Sequence, residues 1–178
     1  KEIKDNVDIV MFFDTPNPKL LPFYNDIKEE FLSQQIPVIE SDHHFGGDSE
    51  ELSPDSVKLF RKANANAEII AELLQLLHKS EPGSPDPFKR RNILLPLITG
   101  MLGDTVGGKL VNFKEDYEHW MSLFGKSLKQ ETYQKGAFND HHDINKDMHA
   151  LSEDQKLCLD LLVERITMDR GVAVLNLL

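Results

Sequence analysis

Val7-Asp8-Ile9-Val10-Met11-Phe12-Phe13-Asp14 is the stretch on which the reading of this chain turns. It is mostly apolar and β-branched near its start, and Asp14-Thr15-Pro16-Asn17-Pro18 stops it. A short apolar run of this kind suits a buried strand of a parallel sheet, with Asp14 at its carboxyl end. Residues 20–34 follow as an expected helix, with Leu20, Leu21, Tyr24, Ile27, Phe31 and Leu32 near helical spacing. Residues 36–39 supply a second short strand that runs into the turn Asp42-His43-His44. Strand–helix–strand–helix order predicts an α/β fold, a mostly parallel sheet flanked by helices.

Further along, residues 63–79 read as a helix with Ile70, Leu73, Leu74 and Leu77 on one stripe. Residues 81–87, rich in proline, are a linker or exposed turn. A helix is expected from residue 88 to about residue 102, kinked or delayed by Pro96. Gly103-Asp104-Thr105-Val106-Gly107-Gly108 reads as a glycine-rich break. Residues 113–135 look helical and half exposed, and residues 136–150 look polar and loop-like. Ser152 is the expected N-cap of another helix, with Glu153 and Asp154 in its first turn. The apolar end, residues 171–178, suits a strand or a severed helix.

A length of 178 residues allows one domain with a sizeable core, or one domain plus an appendage. We divide it into residues 1–150, the main α/β domain, and residues 151–178, a helix and apolar segment. A net charge of −10 argues against a broad surface for long duplex nucleic acid, which requires phosphate-neutralising Lys and Arg. It leaves room for a small phosphorylated substrate, because a bound metal can reverse the local field. No apolar stretch reaches the roughly 18–20 residues needed to span a bilayer. The lone Cys158 excludes an internal disulfide framework. Together these predict a cytoplasmic protein without a membrane partner.

Asp14 and His43 both fall at strand ends, where ligands collect in open α/β sheets. Asp104 follows an apolar helix and a glycine-flanked turn that would bring it to the same crevice. Two carboxylates and an imidazole suit Mn²⁺, Fe²⁺ or Zn²⁺, whereas Mg²⁺ prefers oxygen alone. Taken singly, each residue has a plainer reading: Asp14 and Asp104 as turn residues, the histidines as part of a solvated loop. Only their shared placement favours a metal.

That pattern resembles the DHH phosphoesterase family, named for the tripeptide present here as Asp42-His43-His44. The family's aspartate-ended strand is matched by Phe12-Phe13-Asp14-Thr15, and its later Asp-Thr motif by Gly100-Met101-Leu102-Gly103-Asp104-Thr105. Ala65-Asn66-Ala67-Glu68-Ile69-Ile70 is similar to the helix that follows the family's tripeptide. The match covers residues 7–105 and implies a DHH-type αβα domain. It implies that Asp14 bridges two metal ions and that His43 and Asp104 bind one of them. His44 would face the substrate phosphate and Asp42 would orient the histidine pair, both in catalytic roles.

The implied reaction is hydrolysis of phosphodiester bonds by metal-activated hydroxide, with Mn²⁺ (Mg²⁺ as the alternative) and two ions in the complete protein. Short oligonucleotides or (cyclic) dinucleotides are the expected substrates, and a homodimer is compatible with the reading. An inorganic pyrophosphatase or exopolyphosphatase, or a non-catalytic nucleotide-binding module, is the alternative. The family's first motif, a His followed by two aspartates, has no counterpart here, and neither has its C-terminal substrate domain. Val106-Gly107-Gly108-Lys109 also departs from the usual glycine and phenylalanine after Asp-Thr. The expectation is an incomplete catalytic domain, inactive alone, that carries one side of a two-metal centre.

A second tripeptide, Asp140-His141-His142, has no apolar strand before it and is expected in an exposed loop. Asp143-Ile144-Asn145-Lys146-Asp147 opens like a calcium loop, but Met148 and Asp154 stand where such a loop needs Gly and Glu. Lys89-Arg90-Arg91 reads as a solvated helix start.

Overall fold

The two apolar runs become neighbouring strands in the computed structural model, which describes residues 7–33, 36–46, 50–129, 138–163, 166–169 and 172–175. β1 (Val10–Phe13), β2 (Val38–Asp42) and β3 (Val57–Phe60) form a parallel sheet in the order β1-β2-β3. β3 was not expected. Its Val57-Lys58-Leu59-Phe60 sequence is short and carries a charge at its second position, so its apolar signal is weak.

Register sets the site. Phe13 lies opposite Ser41, and the Asp14 N–H donates to the Ser41 carbonyl at 2.9 Å. β1 therefore ends flush with β2, and Asp14 stands beside Asp42, which is the last residue of its strand rather than part of a turn.

Side chains alternate across the sheet. On one face Phe12 and Val38 pack with Leu52 against Leu21, Tyr24, Ile27 and Leu32. Glu40, on that same face, is buried and accepts the Leu52 and Ser53 N–H groups at 3.2 and 3.0 Å and the Ser56 hydroxyl. Its carboxylate thus shapes the return into β3. On the opposite face the Ser41 hydroxyl donates to Asn66 Oδ1 at 2.7 Å, fastening α2 (Asn66–Ser80) to β2.

The helix expected over residues 20–34 begins later. A 3₁₀ turn (Pro18–Leu20) ends at Leu21, which is extended at φ −91° and ψ 117° because Pro22 disfavours helical geometry at the residue before it. α1 (Tyr24–Ile27) then follows, widening into a π-turn over Lys28–Leu32 where the Ser33 N–H reaches the Lys28 carbonyl.

The larger core lies among α2, α3 (Arg91–Asp104) and α4 (Lys114–Leu128), preceded by a short 3₁₀ helix, Pro87–Lys89. Leu94, Ile98, Met101 and Phe124 are fully buried, each contributing roughly 1.5–3 kcal/mol. Trp120 stacks on Phe124 and tilts against Phe88. α3 runs through Pro96 and Gly103, so Asp104 is its last residue and not part of a glycine turn. The turn comes afterwards, where Val106, Gly107 and Gly108 all have positive φ. Gly108 has φ 84°, and a Cβ there would lie 2.7 Å from the Tyr117 hydroxyl, so a side chain at this position is strained.

The expectation of a loop around residues 140–142 is corrected. Asp140 Oδ1 accepts the N–H groups of His142 and Asp143 at 2.8 and 3.1 Å, capping α5 (His141–Met148). A good cap and one buried side chain, Ile144, suffice where the apolar periodicity is poor. Residues 130–137, expected to be part helix and part loop, lie outside the described residues.

The chain divides into two compact units, Lys1–Ile144 and Asn145–Leu178. In the second, α6 (Glu153–Val163) starts with the expected Ser152 cap: Ser152 and Gln155 exchange side-chain to backbone bonds at 3.1 and 2.9 Å. β4 (Ile166–Asp169) pairs antiparallel with β5 (Val172–Leu175). Among the described residues, no helix is long and apolar enough to cross a membrane.

Candidate metal centre

Three elements deliver the polar side chains. Asp14 leaves β1 with φ 55°, a left-handed conformation that Asp tolerates better than most residues and that turns its side chain out of the strand path. Asp42 ends β2, and His43 and His44 follow it. Asp104 closes α3. Ligand atoms of Asp14, Asp42, His43 and His44 all lie within 4.8 Å of one another.

His43 is the centre of the group. Its Nδ1 lies 3.2 Å from the Ala63 carbonyl, which can only accept, so Nδ1 carries the proton and the neutral ring keeps a lone pair on Nε2. That Nε2 sits 3.2 Å from Asp14 Oδ1 and 3.4 Å from Asp104 Oδ2. These distances are long for hydrogen bonds, and Nε2 is a buried nitrogen with no hydrogen-bond partner. We therefore treat both contacts as electrostatic. Ligands about 3 Å apart are what an octahedral ion at roughly 2.0–2.2 Å from each would require. A cation between Nε2 and the two carboxylates would satisfy the orphaned nitrogen, and the donor set fits Mn²⁺, Fe²⁺ or Zn²⁺.

The protonation balance points the same way. The His43 ring holds Asp14 below the ordinary carboxylate range, against the effect of burial. Asp14 in turn is the main cause that lifts His43, with help from the Ala63 carbonyl and Asp104 and against burial. Asp104 is pushed up by burial first and by the Asp14 charge second. Two carboxylates that repel across one imidazole lack a positive charge. A proton on His43 supplies one, and a divalent cation would supply more.

Asp42 and His44 form a second layer. Asp42 is almost wholly buried, and its Oδ1 accepts both the backbone N–H and the Nδ1–H of His44 at 2.8 Å. His44 is half exposed, tilted against His43 with ring centroids 4.3 Å apart, and its Nδ1 stands 3.6 Å from Asp14 Oδ1. Its Nε2 is therefore the ring nitrogen left open to a ligand. Asp42 Oδ2 is buried without a partner, at a cost of roughly 1–3 kcal/mol unless something donates to it.

The structure thus brings all five expected residues, Asp14, Asp42, His43, His44 and Asp104, into one cluster. Sequence reading missed those that hold them. Ala63 supplies the carbonyl to His43, Asn66 bonds Ser41, and the buried Asn64 carries its own network. Their only signal was two asparagines, at positions 64 and 66, where a helix begins. The Gly107-Gly108 turn is no phosphate cradle: the N–H groups of Val106, Gly107 and Gly108 are spent on Gly103, Leu102 and Thr105.

No protein-family model matches the chain, and no curated protein matches it.

Proposed function

We propose that this chain is a metal-dependent phosphoesterase domain of the DHH type, acting on phosphodiester bonds of short oligonucleotides or (cyclic) dinucleotides. One observation supports the reading most: a buried imidazole nitrogen, held in its lone-pair tautomer, faces two carboxylates from different elements and is hydrogen-bonded to neither. Asp14, His43 and Asp104 would hold the ion, preferably Mn²⁺. When bound, the cation would polarise a phosphoryl oxygen and supply hydroxide at neutral pH.

The chain's own residues do the rest. Asp42 fixes His44 so that its outer nitrogen faces solvent, where it can donate to or accept from a phosphate oxygen. The position of the cluster at the carboxyl edge of β1 and β2 leaves one side open for a small substrate. The net charge of −10 disfavours a long polyanionic strand over a dinucleotide.

The test is incubation of the full-length protein with Mn²⁺ and, separately, a dinucleotide, pyrophosphate and polyphosphate. Dinucleotide cleavage that is lost in Asp14→Ala supports the reading. Cleavage of pyrophosphate alone redirects the substrate class. Absence of all turnover, with Mn²⁺ binding unchanged in Asp14→Ala, removes the site.

A further inference from the structure

Between β3 and α2 the chain passes through residues 63–66, which make two contacts at the edge of the metal centre. The Ala63 carbonyl receives His43 Nδ1–H at 3.2 Å. Asn66, buried, accepts the Ser41 hydroxyl at 2.7 Å, one residue before Asp42.

Asn64 lies between these two and is itself buried. Its Oδ1 accepts the backbone N–H groups of Asn112 and Phe113 at 2.9 and 2.8 Å. Its Nδ2 donates to the Phe113 carbonyl at 2.8 Å and to Glu68 Oε1 at 2.7 Å. The amide is therefore saturated: both acceptor sites of the oxygen and both hydrogens of the nitrogen are used.

The partners define what the side chain does. Asn112 and Phe113 lie on the segment that leaves the Asp104-Thr105 end of α3 and enters α4. Thr105, fully buried, pins the start of that segment by accepting from the Gly108 N–H and donating to the Met101 carbonyl. Glu68 belongs to the first turn of α2. Asn64 thus ties the residue next to the carbonyl that orients His43 to the segment that follows Asp104 and to α2.

We propose that Asn64 is a positioning residue of the metal centre: by holding the Ala63 carbonyl against His43 Nδ1 and tying the segment behind Asp104, it keeps Nε2 bare and aimed between the two carboxylates. The proposal rests on the reading of this cluster as a cation site. Asn64 touches neither ion nor substrate and acts through His43 and Asp104. Groups that orient imidazole ligands from outside in this way typically change metal affinity by about 10–100-fold.

Two measurements test it. The first is the ¹⁵N spectrum of His43 in the metal-free chain at alkaline pH, where the ring is neutral. We expect the Nδ1–H tautomer; an Nε2–H tautomer overturns the inference whatever the metal does. The second is Mn²⁺ titration, read by loss of the free-ion electron paramagnetic resonance signal, on the parent, Asn64→Ala and the milder Asn64→Ser.

Folded variants should bind Mn²⁺ about 10-fold more weakly than the parent, and their His43 spectrum should show both tautomers. A folded variant with parental affinity and a single Nδ1–H tautomer makes Asn64 merely structural and overturns the inference. If neither variant folds, Asn64 is a fold-determining residue and the inference is overturned. A parent that binds no Mn²⁺, with the Nδ1–H tautomer present, fails the metal reading while leaving the alignment of His43 intact.

Discussion

Asp42-His43-His44 and Asp140-His141-His142 are the same three residues, and locally they fold the same way. In each the aspartate Oδ1 accepts the N–H of the second histidine at 2.8 Å, and the two rings tilt against each other with centroids 4.3 and 4.0 Å apart. The surroundings differ. The first tripeptide ends a strand whose neighbour delivers Asp14, and the end of α3 delivers Asp104. The second opens a helix, and its aspartate takes the Asp143 N–H as well, completing a cap. Opposite shifts record the contrast. Asp14 lifts His43, whereas burial and the charge of His142 lower His141. An Asp-His-His sequence therefore caps a helix or joins a wider cluster of carboxylates according to which elements meet it.

The largest expected effect separates the pair directly. His43→Ala should weaken Mn²⁺ binding by roughly 10-fold or more, since a direct ligand should matter at least as much as an orienting one. His141→Ala should leave the Mn²⁺ titration unchanged. Equal losses in the two variants would erase the distinction.

Next in size is the reverse experiment. Asp140→Ala removes the α5 cap and should lower the midpoint of denaturant unfolding, with Mn²⁺ affinity intact. Asp42→Ala should do the converse on the metal side: His44 loses its anchor, and Mn²⁺ affinity falls alongside stability. A cap effect at Asp42 alone, with no change in Mn²⁺ binding, would make the two aspartates equivalent.

The smallest effect is in titration. In the metal-free chain, histidine NMR should place His43 above and His141 below the ordinary value of 6.5. The signs of their linkage to folding are opposite. Folded His43 holds its proton more tightly than the unfolded chain does, so its contribution is complete below pH 6.5 and disappears as pH rises through the folded value. Folded His141 holds its proton less tightly, so stability is lost as pH falls from 6.5 through the folded value. Mn²⁺ affinity should follow His43, weakening as acid protonates the ring.

How much of this could be read from residues alone depends on which force shaped each part. β1 and β2 were legible because each opens on a short apolar run and ends at an aspartate, although β1 is not the fully buried strand expected: only Phe12 is buried, and Met11 and Phe13 stay exposed. β3 was not, since Lys58 breaks its apolar pattern. α5 was missed because a side-chain cap outweighed poor periodicity, and Asp104 was misplaced because Gly103 stays helical. The five site residues were named from types and positions, yet the groups that aim them were invisible. A backbone carbonyl such as that of Ala63 has no sequence signature, and Asn64 reveals its role only through three bonds to a segment far along the chain and one to Glu68.

The most direct test of the central claim is the nitrogen coupling of bound Mn²⁺, measured by pulsed electron paramagnetic resonance on the parent, His43→Ala and His141→Ala chains. A cation held by Asp14, His43 and Asp104 predicts a directly ligated imidazole nitrogen in the parent, kept in His141→Ala and lost in His43→Ala. A coupling that survives His43→Ala, or no bound Mn²⁺ at all, would contradict it.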